Sequence, residues 1–242
     1  MDYLTAAAAA LAGYLMGSIS FTRIITRFKS PGKEVKENEV KVEGTDMSYK
    51  VTAFGATAAS MKHGPKVGCS IGIADMIKVA VPVLVFRLLF PGEPYIYICA
   101  AAGMLGHNWP IYYRFKGGRG ISAYYGGIFI IDWLGALATM IAGMLFGFFI
   151  IRDFFVAYMA GLWFIIPWAW FTTHRYDYLA YTIAVNIMYM IAMIPDIKQY
   201  VKIRKNTKVT TRMVLETSPM GRGMLKVSEW LRSRFRRPKK NP

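Results

Sequence analysis

The sequence predicts an all-α, polytopic membrane bundle of about seven transmembrane helices, with the amino terminus outside and the carboxy terminus cytoplasmic. Three observations carry that prediction. The 242 residues are 55% hydrophobic and only 18% charged, with a mean hydropathy of +0.31, more apolar surface than a soluble domain of this length keeps in solution. Apolar runs near the length of a bilayer crossing recur along the chain. The 30 Lys and Arg residues cluster in alternate loops, as the positive-inside rule requires. Aromatic residues at 15% of the chain exclude a disordered polymer. The two cysteines, Cys69 and Cys99, sit in apolar runs without zinc or disulfide spacing.

Taken in order, the predicted spans are residues 4–26, 67–90, 95–110, 121–131, 133–151, 154–171 and 178–194. Arg23 sits in the last turn of the first span and Arg27 and Lys29 follow it, Arg114, Lys116 and Arg119 lie between the third and fourth, and Arg152 follows the fifth. These loops belong inside. Asp2 precedes the first run and its basic residues follow it, which argues against a cleaved signal peptide. The fourth run is too short to cross upright. Together with the short third, it suggests helices that meet near a membrane boundary, where non-helical backbone survives only around a polar cavity. One membrane domain is expected over residues 1–197. A basic tail follows at 198–242, with 14 Lys or Arg against Glu216 and Glu229. Residues 227–237 place Val227, Trp230, Leu231 and Arg234 at helical spacing, which suits either a helix on an anionic leaflet or a solvated tail. No nucleic-acid module accompanies the charge, so no nucleic acid is expected.

Chemistry is expected where polar residues interrupt apolar sequence on the inner side. The segment from Gly106 to Ser122 reads GHNWPIYYRFKGGRGIS. Gly117, Gly118 and Gly120 free the backbone so that successive N–H groups can converge on an anion, with Lys116 and Arg119 adding charge. The helix that starts at Ile121 would aim its amino terminus at the same place. A tight interhelical turn whose basic residues enforce topology fits the same residues. Within the second span, Asp75 and Lys78 share a helix face and can neutralise each other, as a structural pair or around a polar site. Ser18, beside Gly13 and Gly17, suits close helix packing. No metal-ligand cluster, nucleotide fingerprint or Ser-His-Asp spacing is visible, and no metal or cofactor is expected.

The glycine-rich segment resembles the third signature of the PlsY-type acyl-phosphate:glycerol-3-phosphate acyltransferases, G-H-x-x-P-x-F-x-x-F-K-G-G-K-G. Gly106, His107, Pro110, Phe115, Lys116, Gly117, Gly118 and Gly120 match it, with Tyr112 for the aromatic and Arg119 for the second lysine. Gly17-Ser18 resembles the first signature without its proline. Gly55-Ala56-Thr57 keeps the core of the second, whereas Ala53, Ala58 and Met61 stand where that family carries two asparagines and an arginine. Asp75 and Lys78 match the Asp-x-x-Lys that follows. Near the end, Ile194-Pro195-Asp196-Ile197 stands in place of His-Arg-x-Asn-Ile.

The resemblance implies a multi-pass enzyme of a prokaryotic plasma membrane. It would move a fatty acyl group from acyl phosphate to glycerol 3-phosphate, or a related polar acceptor, in phospholipid synthesis. Ser18, His107 and Lys116 are then the candidate catalytic residues. Gly55, Ala56, Thr57, Asp75, Lys78, Gly117, Gly118, Arg119 and Gly120 are the candidates for holding substrate phosphate. The implied partners are membrane lipid and an acyl-phosphate substrate, with the basic tail on an anionic leaflet. A second expectation from a different class is the same scaffold without catalysis, acting as a lipid-binding or structural subunit beside partner membrane proteins.

Overall fold

The first apolar run does not form one helix. In the computed structural model, α1 spans Tyr3–Gly17 and α2 spans Phe21–Lys29. Asp2 caps α1 by accepting from the Thr5 N–H at 2.8 Å. The Ser18 N–H closes the last turn on the Tyr14 carbonyl at 2.9 Å, and the Ile19 N–H folds back to Met16 at 3.2 Å. That tightening turns the chain and leaves the Ile19 carbonyl outside the helical ladder. The reason for the break lies elsewhere in the fold. Lys78 reaches this carbonyl from another helix, a contact that hydropathy along the run cannot register.

The structure describes residues 1–29, 38–41, 48–51, 55–151 and 154–206, together with residues 222, 223, 225, 226 and 234. The expected amphipathic stretch at 227–237 lies almost wholly outside them. A short antiparallel hairpin pairs β1 (Asn38–Lys41) with β2 (Ser48–Val51), in the register Asn38 opposite Val51 to Lys41 opposite Ser48. It is a small addition to a structure that is otherwise helical among the described residues. There follow α3 (Ala56–His63), α4 (Pro65–Leu89), α5 (Tyr95–Asn108) and, after a 3-10 turn at Ile111–Tyr113, α6 (Ile121–Ile131). Then come α7 (Trp133–Leu145), which runs into a π-helical turn at Phe146–Ile151, α8 (Phe154–Thr173) and α9 (Tyr176–Asn206).

Several predicted ends are reproduced closely, because Gly, Pro and Asp punctuate them. The last span is longer than predicted. α9 runs through Pro195 and past residue 197 to Asn206, so the boundary drawn at 197 falls inside a helix. Among the described residues, four segments are long and apolar enough to cross a membrane: Tyr3–Phe28, Pro65–Leu89, Trp133–Ile151 and Tyr176–Gln199.

Side-chain placement is that of a bundle solvated by lipid. Leu4, Phe28, Leu88, Phe149 and Phe171 are exposed, while Ser18, Thr22, Asp75, Lys78, His107 and Asn186 are buried. Polar groups face inward because hydrocarbon offers them no partner. The tightest crossing joins α1 to α5. Side chains at Gly13 and Gly17 would run into the backbone carbonyls of Cys99 and Gly103, and one at Gly106 into that of Tyr14. Only hydrogen atoms at these positions let the two backbones approach so closely.

Away from this crossing, Asp132 ties three helices together. It caps α7 through the Gly135 N–H at 2.7 Å and also accepts from Trp168 Nε1 of α8 at 2.8 Å and the Tyr178 hydroxyl of α9 at 3.1 Å. Arg175, in the α8–α9 turn, pairs with Asp177 and donates to the Gly92 carbonyl. Its guanidinium is thereby held more firmly protonated than usual.

Candidate active site

The break between α1 and α2 forms one wall of a narrow cleft. Gly17, Ser18, Ile19 and Ser20 line it from the break, Asp75 and Lys78 from α4, His107 from α5, and Pro110, Gly117 and Gly118 from the connection to α6. Residues from four parts of the chain converge on a space of about 190 Å³, including its open mouth.

Charge at the cleft is organised by α4. Asp75 and Lys78 are both buried and pair at 2.7 Å, one helical turn apart. Lys78 also donates to the Ile19 carbonyl at 2.6 Å. One ammonium thus neutralises a buried carboxylate and satisfies a carbonyl that left its helix. His107 Nδ1 stands 3.7 Å from the Asp75 carboxylate, beyond direct hydrogen-bond range. Ser18 Oγ donates to the Tyr14 carbonyl at 2.8 Å. That bond fixes the hydroxyl and leaves its oxygen able to accept.

The glycine-rich connection folds back over His107. The Gly118 N–H donates to the His107 carbonyl at 3.0 Å, and a side chain at Gly118 would strike the imidazole. Arg114 and Phe115 both have positive φ, 52° and 59°, a conformation that costs roughly 1–2 kcal/mol for an L residue. Bonds from the Phe115 N–H to Pro110 and the Lys116 N–H to Tyr113 maintain it. Arg23 of α2 braces the loop from outside, donating to the Lys116 carbonyl at 3.0 Å with its guanidinium 4.7 Å from the centre of the Tyr113 ring. Gly120, at φ 89°, opens α6, and only a glycine fits there beside the buried Asn108 amide.

Ser18, Asp75, Lys78, His107, Gly117 and Gly118 therefore meet in one cleft. Lys116 is exposed beside it. Gly118 spends its N–H within the protein, so it does not add to a convergent set of free donors. Arg119 faces elsewhere: Nε and Nη2 bind the two oxygens of Asp196 in α9 at 2.5 and 3.0 Å. Gly55, Ala56 and Thr57 do not line the cleft. They form the start of α3, against α4, where Gly72 stands between Ala56 and the hydroxyl of Ser122 in the first turn of α6.

Three participants were passed over by the sequence reading. Asp196 carried a signal, since a carboxylate near the end of an apolar span needs a partner. Asn108 carried one too, as a second polar residue beside His107. Neither its Nδ2 nor its Oδ1 has a hydrogen-bond partner among the described residues. Arg23 was read only as a loop charge.

Residues 7–205 match the family described as glycerol-3-phosphate acyltransferase. The chain belongs to that family.

Among its relatives, the glycerol-3-phosphate acyltransferase of Shouchella clausii is 33% identical over 141 residues, covering 57% of this chain and 62% of the relative. That of Mycoplasma mycoides is 28% identical over 191 residues, covering 70% and 69%. The chain thus spans about three fifths of the length of the first of these curated relatives. The fold is similar to a crystal structure of PlsY, an integral membrane glycerol 3-phosphate acyltransferase, in its glycerol 3-phosphate form. The TM-score is 0.68 at 21% identity, over 81% of this chain and 92% of that one. The lysophosphatidic acid form of PlsY is similar at a TM-score of 0.66. The helical, multi-pass membrane class follows from this fold and the apolar helices.

Proposed function

We propose that this protein transfers a fatty acyl group from an acyl phosphate to glycerol 3-phosphate, or a related polar acceptor, in phospholipid synthesis. The observation that carries the reading is the convergence of Ser18, Asp75, Lys78, His107 and the Gly117–Gly118 backbone on one cleft, in a chain of this family. The protein works in the plasma membrane of a prokaryote, with the cleft toward the cytoplasmic side and the basic tail on the anionic leaflet.

An acyl phosphate is an activated mixed anhydride, so the protein has chiefly to align the reactants and stabilise developing charge. The acceptor hydroxyl attacks the acyl carbon, its oxygen forms the new ester, and the carbon–oxygen bond to phosphate breaks, phosphate leaving with the electron pair. His107 takes the hydroxyl proton, and the Asp75 carboxylate stabilises the imidazolium. Ser18, oriented by its bond to Tyr14, accepts from the acceptor and keeps it in line. Lys116 and the loop backbone at Gly117 hold phosphate. The acyl chain enters laterally from the bilayer between helices.

The test is phosphate release by the purified protein with palmitoyl phosphate and glycerol 3-phosphate. Turnover abolished by His107→Ala or Lys116→Ala, with the fold intact, is the expected result. No turnover by the folded wild type, with stable co-purification of another membrane protein, overturns the reading in favour of a structural subunit.

A further inference from the structure

The Arg119–Asp196 pair joins two segments 77 residues apart. Arg119 immediately precedes Gly120, which opens α6, and its guanidinium meets the carboxylate as a two-point fork at 2.5 and 3.0 Å. Asp196 is buried, and Arg119 is largely so. Fork geometry fixes orientation as well as charge, because each of the two N–H groups must point at its own carboxylate oxygen. The loop is consequently held at two ends, by Arg23 on the Lys116 carbonyl and by Asp196 on Arg119. Between those ends lie Gly117 and Gly118, the part of the loop that lines the cleft and packs on His107.

We infer that Asp196 is a positioning residue: it anchors the glycine-rich loop to α9 and keeps Arg119 directed away from substrate phosphate. Arg119 then shapes the loop, and phosphate binding falls to the residues that line or adjoin the cleft. A buried carboxylate is an unfavourable group inside a membrane protein unless its partner is fixed, and here it is fixed on the residue that adjoins the start of α6. This inference rests on the proposed acyl transfer for its kinetic consequence but not for the coupling itself.

The experiment uses the full chain in detergent, as Asp196→Asn, Asp196→Glu, Arg119→Gln and the exchanged pair Arg119→Asp/Asp196→Arg. Two readouts are taken: thermal midpoint, and kcat and KM with palmitoyl phosphate and glycerol 3-phosphate. The expected result is that both neutral single variants lower kcat at least tenfold while KM for glycerol 3-phosphate moves less than threefold. Asp196→Glu and the exchanged pair recover most of the kcat and of the thermal midpoint. The inference is overturned if Arg119→Gln raises KM tenfold or more with kcat preserved, as a direct phosphate ligand would. It is equally overturned if the exchanged pair recovers no thermal stability relative to the single variants. Absence of turnover in the wild type counts against the proposed function alone, since the thermal coupling between positions 119 and 196 is read without it.

Discussion

The buried ammonium of Lys78 donates to the carbonyl of Ile19 at 2.6 Å, across the gap where α1 gives way to α2. The same ammonium pairs with Asp75 at 2.7 Å, so one side chain both neutralises the cleft and shapes its wall. Removing it leaves a buried carboxylate without its countercharge. Lys78→Met should destabilise the protein by about 3–5 kcal/mol. Asp75→Asn with Lys78→Met should recover part of that loss, because no charge is then stranded. Thermal unfolding in detergent of Lys78→Met, Asp75→Asn and the double variant, arranged as a double-mutant cycle, measures the coupling.

A different prediction comes from the α1–α5 crossing. Gly17→Val adds three carbons, the first of them in the space of the Gly103 carbonyl, and overpacking of this kind costs about 1–3 kcal/mol or more. Gly55→Ala is the control. A Cβ there meets nothing within 4 Å among the described residues, and the change should cost at most about 1 kcal/mol, the ordinary penalty of alanine at an N-cap. Thermal midpoints compared side by side would refute the close-approach argument if the two variants behaved alike.

At the cleft, His107→Gln and Ser18→Ala separate proton transfer from positioning. His107→Gln keeps a polar group of similar reach but no base, and should lower kcat by 10²–10⁴-fold. Ser18→Ala removes one hydrogen bond to the acceptor, an effect of about 0.5–1.5 kcal/mol, or roughly a two- to tenfold change in kcat/KM. Equal losses from the two substitutions would contradict this division of roles.

Remote from the cleft, Asp132→Ala should act on stability alone. It orphans the Gly135 N–H, the Trp168 indole and the Tyr178 hydroxyl, each at about 1–3 kcal/mol if left buried and unpaired. Folded protein recovered at low temperature should retain kcat and KM. A large change in KM for either substrate would show that this knot reaches the cleft.

Much of the site was legible because its glycines, lysine and histidine are contiguous. GHNWP followed by FKGG places His107 and the loop within reach of each other whatever the rest of the chain does. Asp75 and Lys78 were legible as a pair because helical spacing alone brings residues three apart together. Arg119 shows where such reading stops. Adjacency to Lys116 and two glycines made it look like a phosphate ligand, yet its partner is Asp196 in α9. Gly55, Ala56 and Thr57 likewise stand at the start of a helix beside α4 and off the cleft lining.

By itself the sequence determined the membrane class and most helix ends, because apolar length, charge placement and Gly, Pro or Asp punctuation are properties of short segments. Only the tertiary structure decided that the first span breaks at Ser18–Ser20, that Lys78 crosses 59 positions to Ile19, and that Asp196 crosses 77 to claim Arg119. In a lipid-solvated bundle every buried polar group must find its partner inside the protein. Which partner it finds depends on how the helices pack, and packing is set by contacts that no local pattern encodes.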